Sequence, residues 1–132
     1  MSGKKSRSLG CRFEREIAQI FREHGYEHVK TSRSASRFAD DCKIDLVNVG
    51  EFAIQCKRSV KNWPSINELF KVEHEEYARH LMASLLIGID TGPDLEDPVL
   101  ELTPMLITKI NNKDTVAVLK LQDLMRYIPS PQ

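Results

Sequence analysis

The sequence has few cysteines, no long apolar run and no repeated or low-complexity segment. Its three cysteines are an odd number and form no CxxC pair: Cys11, Cys42 and Cys56. This argues against a disulfide framework or a zinc ribbon and favours a reducing compartment. The longest apolar stretch, residues 81–89, is interrupted by serine and glycine and falls far short of the ~20 residues that a membrane helix needs. The basic N-terminus leads into no apolar signal region. We therefore expect a cytoplasmic protein, in the host cytoplasm if it is phage-encoded, without a membrane partner.

The formal net charge is zero because two halves of opposite charge cancel. Residues 1–63 carry 13 Lys and Arg against 8 Asp and Glu, whereas residues 64–132 carry 6 against 11. A basic half is a hint of nucleic-acid contact, with ordinary solvated surface charge as the alternative. A chain of 132 residues has room for one core. We expect a flexible basic arm over residues 1–10 and a single domain over residues 11–132.

Hydrophobic periodicity predicts an α/β fold in which helices pack against one mixed sheet. Apolar residues recur at helical spacing over residues 12–24, and residues 43–49 and 52–58 have the pattern of two strands joined at Gly50-Glu51. Residues 30–42 are polar without a period, which is typical of a functional loop. Further expected elements include a helix from a Ser65–Glu68 capping box to about His80, strands at 81–89 and 115–121, and a short helix at 105–111.

Polar residues interrupt both predicted strands. Alternation along an extended strand places Gln55 and Lys57 on one face and Cys56 on the other. Asp45 stands between two aliphatic residues on the preceding strand. A buried carboxylate near a lysine is costly unless an ion pair or a metal compensates. A structural salt bridge between Asp45 and Lys57 is the alternative to a functional site.

The connection between the strands decides whether these side chains meet. A three-residue connection places Asp45 on the face of Gln55 and Lys57. A two-residue turn at Gly50-Glu51 places it opposite Cys56, and then only a bulge at Asp45 brings the group together. Glu14, at the edge of the buried stripe of the first helix, adds a third polar group; its alternative role is that of an acid favoured in a first helical turn.

Five segments, taken in order, carry a resemblance to the PD-(D/E)xK nuclease superfamily and, within it, to the archaeal-type Holliday-junction resolvases: Glu14-Arg15-Glu16, Gly25-Tyr26, Arg33-Ser34-Ala35-Ser36, Ile44-Asp45-Leu46 and Ile54-Gln55-Cys56-Lys57. The resemblance implies a restriction-endonuclease-like mixed central sheet flanked by helices. It also implies metal-dependent hydrolysis of DNA phosphodiester bonds, at branched or otherwise structured DNA, by a homodimer.

The resemblance assigns roles to particular residues. Mg²⁺, or Mn²⁺ in its place, would be held by Asp45, Gln55, the Cys56 main-chain carbonyl and Glu14, the last directly or through water. Lys57 would orient or deprotonate the attacking water. Ser34 or Ser36 would lie on the mobile loop brought to the scissile phosphate. Gln55 departs from the family pattern, which has a carboxylate there, and an amide oxygen coordinates a cation without contributing negative charge.

Basic residues from segments next to this site would track the DNA backbone if they converge: Lys4, Lys5, Arg7, Arg33, Arg37, Arg58 and Lys61, with Ser34 beside them. Two other functions stay open. One is a nuclease-fold module that binds DNA without cutting it, with Gln55 marking the loss of the metal site. The other is a protein-interaction domain without a nucleic-acid role.

Overall fold

The computed structural model describes residues 3–85 and 100–131, with side chains from residue 7 to 84 and from 100 to 131. In these two ranges the elements follow one another in this order: α1 (Gly3–Glu23), β1 (Lys30–Thr31), α2 (Ser32–Ala35), α3 (Arg37–Asp41), β2 (Leu46–Val47), β3 (Phe52–Arg58), α4 (Asn67–Phe70), α5 (His74–Leu85), β4 (Thr103–Lys109), β5 (Val116–Val118) and α6 (Leu121–Leu124).

The five strands form one mixed sheet in the order β1-β2-β3-β4-β5. β1 with β2, β2 with β3 and β4 with β5 are antiparallel, whereas β3 and β4 are parallel from the pair Phe52 and Thr103 to the pair Arg58 and Lys109. Parallel neighbours need a crossover connection, and α4 and α5 lie in the segment that joins them. The predicted fold class, an α/β protein with a mixed central sheet flanked by helices, is confirmed.

The core lies on both faces of β3. On one face, Phe13 and Ile17 of α1 pack in a buried cluster with Ile54. On the other face, Ala53 belongs to a second cluster with Tyr77 of α5. Successive strand residues point to opposite faces, so β3 is covered on both sides by helices.

The predicted first helix is longer than expected. Apolar periodicity places it over residues 12–24, whereas α1 begins at Gly3 and so includes most of the stretch expected as a flexible arm. Once the buried stripe around Phe13 and Ile17 fixes the helix, each further residue adds one backbone hydrogen bond. Helical extension toward the N-terminus therefore needs no burial. The side chains of Lys4 and Lys5 lie outside the described ones.

The polar segment 30–42 is not the single loop that its composition predicts. β1 pairs with β2 there, and two short helices follow. The Ser36 hydroxyl accepts a hydrogen bond from the Ala39 N–H at 3.2 Å, which is the arrangement that starts a helix. Side-chain capping and strand pairing order a segment that has no hydrophobic period.

Three other predicted elements differ from the structure. Residues 105–111, expected as a helix, belong largely to strand β4 because β4 pairs along its whole length with β3. The helix expected from Ser65 to His80 is divided into α4 and α5, and the Glu73 N–H at the division donates to the Cys42 carbonyl at 2.9 Å. Residues 81–85, expected as the start of a strand, continue α5. The rest of that expected strand lies outside the described residues.

Candidate active site

A β-bulge positions Asp45, the residue immediately before β2. The Phe52 N–H donates to the Val49 carbonyl at 3.1 Å, which closes a two-residue turn at Gly50-Glu51. Leu46 pairs with Ile54, and the Asp45 N–H also donates to the Ile54 carbonyl at 2.7 Å. Two consecutive residues therefore lie opposite one, which defines a bulge and redirects a side chain. Of the two arrangements considered from the sequence, the structure has the two-residue turn with a bulge at Asp45.

The Asp45 carboxylate contacts the backbone of Cys56. Its Oδ2 accepts a hydrogen bond from the Cys56 N–H at 2.7 Å. Along β3 and the residue that follows it, the odd-numbered residues direct their backbone N–H and C=O groups to β4. For example, the Ser59 N–H donates to the Lys109 carbonyl at 3.0 Å. By strand alternation the Cys56 backbone groups point toward β2. Asp45 thus lies at the edge of β3 where the main chain of Cys56 faces it.

Burial makes Asp45 an unusual acid. Removal from water raises the pKa of its carboxyl from 3.8 to about 7, and the Cys56 N–H partly opposes the rise. The nearby charges of Glu14 and Asp40 contribute to this rise in pKa, whereas that of Arg33 opposes it. A carboxyl that titrates near neutral pH because of desolvation and a specific acidic neighbour is a functional-site candidate.

Glu14 is paired with Arg33 in the same region. Glu14 is only 3% exposed. Arg33 Nε lies 3.0 Å from Glu14 Oε2, and Arg33 Nη2 lies 3.3 Å from Glu14 Oε1. This hydrogen bonding to Glu14 raises the pKa of Arg33, against a smaller lowering by burial. The segment expected as a mobile loop therefore supplies, from α2, the counter-ion of a buried acid on α1.

Gln55 and Lys57 both contact Glu68, which the capping-box pattern assigns to the start of a helix. Gln55 Nε2 lies 3.4 Å from Glu68 Oε2, and Lys57 Nζ lies 3.7 Å from the same oxygen. Lys71 Nζ contacts the other oxygen at 2.9 Å. Its hydrogen bond lowers the pKa of Glu68, with burial opposing and the Lys57 charge adding to the effect. Gln55 Oε1 is buried without a hydrogen-bond partner.

The predicted site residues thus form two groups on either side of Cys56. Asp45 contacts the Cys56 backbone and is under the influence of the Glu14 charge, whereas Gln55 and Lys57 contact Glu68. Among the described side chains, no ion pair or hydrogen bond joins the two groups directly. The alternative of a structural salt bridge between Asp45 and Lys57 is not found, because Lys57 pairs with Glu68 instead.

The two candidate serines have local structural contacts. Ser34 Oγ donates to the Thr31 carbonyl at 2.9 Å, and Ser36 caps α3. Ser32, which the sequence analysis did not single out, is buried with its hydroxyl unpartnered, and its N–H donates to the Asp45 carbonyl at 2.8 Å. Nothing in the sequence distinguishes Ser32 from the other serines of the segment.

The residues predicted to contact DNA fall into two groups, those that are exposed and those whose side chains are paired within the structure. Arg7, Arg37 and Lys61 are exposed. Arg58 instead ties the ends of β3 and β4 together, since its Nη2 donates to Asn111 Oδ1 at 2.6 Å. Arg33 is held by Glu14, as described above. Three of the proposed cations are therefore available at the surface, while two have structural partners.

Glu68 is a residue that the sequence pattern did not connect with the candidate site. The capping-box prediction expected its carboxylate to return to the start of the helix. Instead the Ser65 hydroxyl accepts from the Asn67 N–H at 3.1 Å, and the Glu68 carboxylate extends to Gln55 and Lys57. One signal was present: a neutral residue at position 55 leaves Lys57 in need of another counter-ion.

No cluster of three or more His, Cys, Asp or Glu side chains is arranged to hold a metal ion within the described part of the chain. A cavity of about 700 Å³ lies between α5, the start of β4 and α6, and none of the predicted site residues lines it. The candidate site therefore lies apart from this cavity, beside the central strand β3.

The mixed sheet, the bulged Asp45 and the Gln55-Cys56-Lys57 strand define a nuclease domain of the PD-(D/E)xK type. A family model described as restriction endonuclease, Mrr_cat, matches residues 7–86. This is well over half of the chain, which therefore belongs to that restriction endonuclease family. The superfamily prediction is confirmed, and the finer resemblance to Holliday-junction resolvases stays a prediction. Domains of this type act on DNA and generally use a divalent metal.

No curated protein and no solved structure gives a significant match. None of the helices within residues 3–85 and 100–131 has both the length and the apolar character needed to cross a membrane.

Proposed function

We propose that the chain is a Mg²⁺-dependent endodeoxyribonuclease that cuts branched or otherwise structured DNA, with Mn²⁺ able to replace Mg²⁺. The supporting observations are the Asp45 carboxylate at the Cys56 backbone, under the influence of the Glu14 charge, and the buried, unpartnered amide oxygen of Gln55 on the same strand as Cys56. Two carboxylates, an amide oxygen and a main-chain carbonyl are the hard oxygen donors that Mg²⁺ prefers.

The unpartnered oxygen of Gln55 supports the fit of a cation. Leaving a buried acceptor without a hydrogen bond costs about 1–3 kcal/mol, and a hard cation would satisfy it. The raised pKa of Asp45 has the same explanation, since burial and the Glu14 charge penalise a carboxylate that a cation would stabilise. The proposed protein ligands are Asp45, Gln55 Oε1 and the Cys56 carbonyl, with Glu14 acting directly or through water.

The bound ion would supply charge stabilisation at the phosphate and would lower the pKa of the attacking water. Lys57 is suited to contact water and phosphate, because its side chain is 45% exposed while Glu68 holds its ammonium group at 3.7 Å. It would orient the water and offset the charge that develops on the phosphate. Asp45 must lose its proton before it can act as a ligand.

Cleavage of labelled four-way, duplex and single-stranded DNA with Mg²⁺ or Mn²⁺ tests the proposal. We expect Asp45→Asn and Lys57→Ala to lose cleavage by at least about 100-fold. Glu16→Gln, at an exposed position of α1, is the matched control and should retain it. Retained cleavage in the Asp45 or Lys57 variant would refute the proposed catalytic roles.

A second candidate function is that of a nuclease-fold module that binds DNA without cutting it. Two observations favour this function: Gln55 is neutral, and the Glu14 carboxylate is already hydrogen-bonded to Arg33. Salt-sensitive DNA binding without cleavage under any divalent metal would support this function. A chain that shows no salt-sensitive DNA binding would instead support the protein-interaction alternative.

The homodimer and the preference for branched DNA are part of the same proposal. Cutting both strands requires two active sites related by a two-fold axis. Exposed apolar side chains at and after α6 are a candidate interface, with Leu121 71%, Met125 55% and Ile128 49% exposed. Analytical ultracentrifugation should find a dimer that Leu121→Asp dissociates. A monomer that cuts duplex as fast as a four-way junction would contradict both expectations.

A further inference from the structure

Glu68 connects the two unusual features of the β3 strand. One carboxylate oxygen lies 3.4 Å from Gln55 Nε2 and 3.7 Å from Lys57 Nζ. The other lies 2.9 Å from Lys71 Nζ, on the exposed side of α4. The Glu68 side chain is 19% exposed, so the contacts with Gln55 and Lys57 are on its shielded side.

The contact with Glu68 determines which end of the Gln55 amide faces it. An ionised carboxylate only accepts hydrogen bonds, whereas an amide has a donating nitrogen and an accepting oxygen. Gln55 must therefore present its nitrogen to Glu68. The amide oxygen is then directed away from Glu68, and it is the oxygen that is buried without a partner. Without Glu68, either orientation of the amide would be available.

We propose that Glu68 is a positioning residue of the nuclease site: it fixes the Gln55 amide so that the oxygen serves as a neutral metal ligand, and it holds the Lys57 ammonium group beside it. This inference rests on the proposed function. This role of Glu68 also explains why position 55 can hold a neutral residue. The negative charge that Gln55 lacks is carried by the Glu68 carboxylate on α4, which is hydrogen-bonded to the Gln55 amide.

Calorimetric titration of the full chain with Mn²⁺ tests the inference. Removal of a residue that orients a metal ligand by a hydrogen bond typically weakens metal binding by about 10- to 100-fold. We expect Glu68→Ala to weaken Mn²⁺ binding by that amount. Lys71→Ala is the matched control, since it removes a contact of Glu68 without touching Gln55 or Lys57. It should leave Mn²⁺ affinity within about two-fold of the wild type.

An exchange of the two side chains gives a sharper test. In Gln55→Glu/Glu68→Gln the carboxylate and the amide change places, so the hydrogen bond can form in the opposite direction. We expect Gln55→Glu alone to preserve or raise Mn²⁺ affinity, Glu68→Gln alone to lower it, and the double variant to bind Mn²⁺ more tightly than the sum of the two single effects predicts. Additive effects of the two substitutions would contradict direct coupling.

A readout in the metal-free chain separates positioning from general stability. The side-chain amide signals of Gln55 in a ¹⁵N–¹H NMR spectrum should move in Glu68→Ala and stay in place in Lys71→Ala. If the wild type binds Mn²⁺ and cuts DNA while Glu68→Ala binds equally well, the inference is wrong and the proposed function stands. If the wild type neither binds Mn²⁺ nor cuts, both are refuted, whatever the amide signals show.

Discussion

Asp45 and Glu14 are two acids that the fold keeps largely out of water. Glu14 is compensated by Arg33 through hydrogen bonds of 3.0–3.3 Å. Asp45 has one backbone donor at 2.7 Å, and desolvation raises its pKa to about 7. Isolated burial of this kind is unfavourable unless a ligand compensates it. At the level of single residues, the site therefore reduces stability in the absence of its proposed cation.

This cost predicts how Asp45 affects stability as pH changes. Its pKa is 3.8 ordinarily and about 7 in the folded chain, so between these pH values the folded state holds a proton that the unfolded state loses. The stabilisation is fully present below pH 3.8 and is lost as pH rises through about 7. In EDTA, Asp45→Asn should be more stable than the wild type near pH 8 by about 2–4 kcal/mol.

Urea unfolding at about pH 5.5 and about pH 8 measures this difference. Asp41→Asn, at an exposed position on α3, is the control and should follow the wild type at both values. Parallel pH profiles for Asp45→Asn and the wild type would show that the Asp45 carboxyl is not desolvated in the folded chain.

The pairing of Arg33 with Glu14 gives a second prediction at this scale. Arg33→Met leaves a buried carboxylate without its donors, and we expect a loss of about 1–3 kcal/mol in the free energy of unfolding. Because a cation can take over the role of Arg33 beside Glu14, Mn²⁺ should raise the melting temperature of this variant more than that of the wild type.

Thermal melting with and without Mn²⁺ provides the measurement. Arg15→Met, which removes an exposed arginine from α1, the helix that carries Glu14, should change stability by no more than about 0.5 kcal/mol. An equal Mn²⁺ effect in the wild type and Arg33→Met would mean that the cation does not bind near Glu14.

Among the elements, the hairpin of β2 and β3 is what positions Asp45. Gly50 has φ 59° in its turn, and Asn48 just before it has φ 66°. Two changes of register follow, one between the turn and the Leu46–Ile54 pair and one at Asp45. Alternation along a regular strand could not predict the direction of Asp45, because bulges are set by local backbone conformation that the polar pattern does not encode.

The turn can be tested with two glycine substitutions. A Cβ at Gly50 would lie 3.2 Å from Tyr26 Cε1, at a positive φ that disfavours other residues. Gly50→Ala should therefore destabilise the chain by about 1–2 kcal/mol. Gly10→Ala is the matched control: α1 leaves its Cβ no neighbour within 4 Å, and helix propensity predicts a gain of up to about 1 kcal/mol.

Urea unfolding of the two variants checks the expected opposite signs. An unchanged stability in Gly50→Ala would mean that the turn relaxes to accept a side chain, and the register at Asp45 would then not depend on Gly50.

Sequence patterns predict those elements whose own residues recur with the period of a helix or of a strand. The first helix and the strand at Gln55 and Lys57 are of this kind. The apolar run of residues 105–111 is compatible with either a helix or a buried strand, and pairing with β3 decides it. The direction of the Glu68 carboxylate depends on Gln55 and Lys57, which are more than ten residues away, so a local capping rule could not predict it.

At the scale of the whole molecule, the charge asymmetry predicts how the chain binds DNA. Arg37 and Lys61 are exposed, and neither makes a side-chain hydrogen bond or ion pair to another described residue. Arg79, also exposed, lies on α5 beside the cavity near Pro104. Since β3 and β4 are parallel, that is the end of the sheet away from Lys57.

Each exposed cation that contacts a phosphate releases counter-ions when DNA binds, which makes affinity depend on salt. We expect Arg37→Ala and Lys61→Ala each to reduce the slope of log affinity against log salt concentration by about 1, and their effects to add. Fluorescence anisotropy with a labelled four-way junction and a duplex in EDTA measures binding without cleavage. Arg79→Ala should leave the slope unchanged. If all three variants reduce it equally, the cations act only through net charge, and a DNA path at the Lys57 end of the sheet would be refuted.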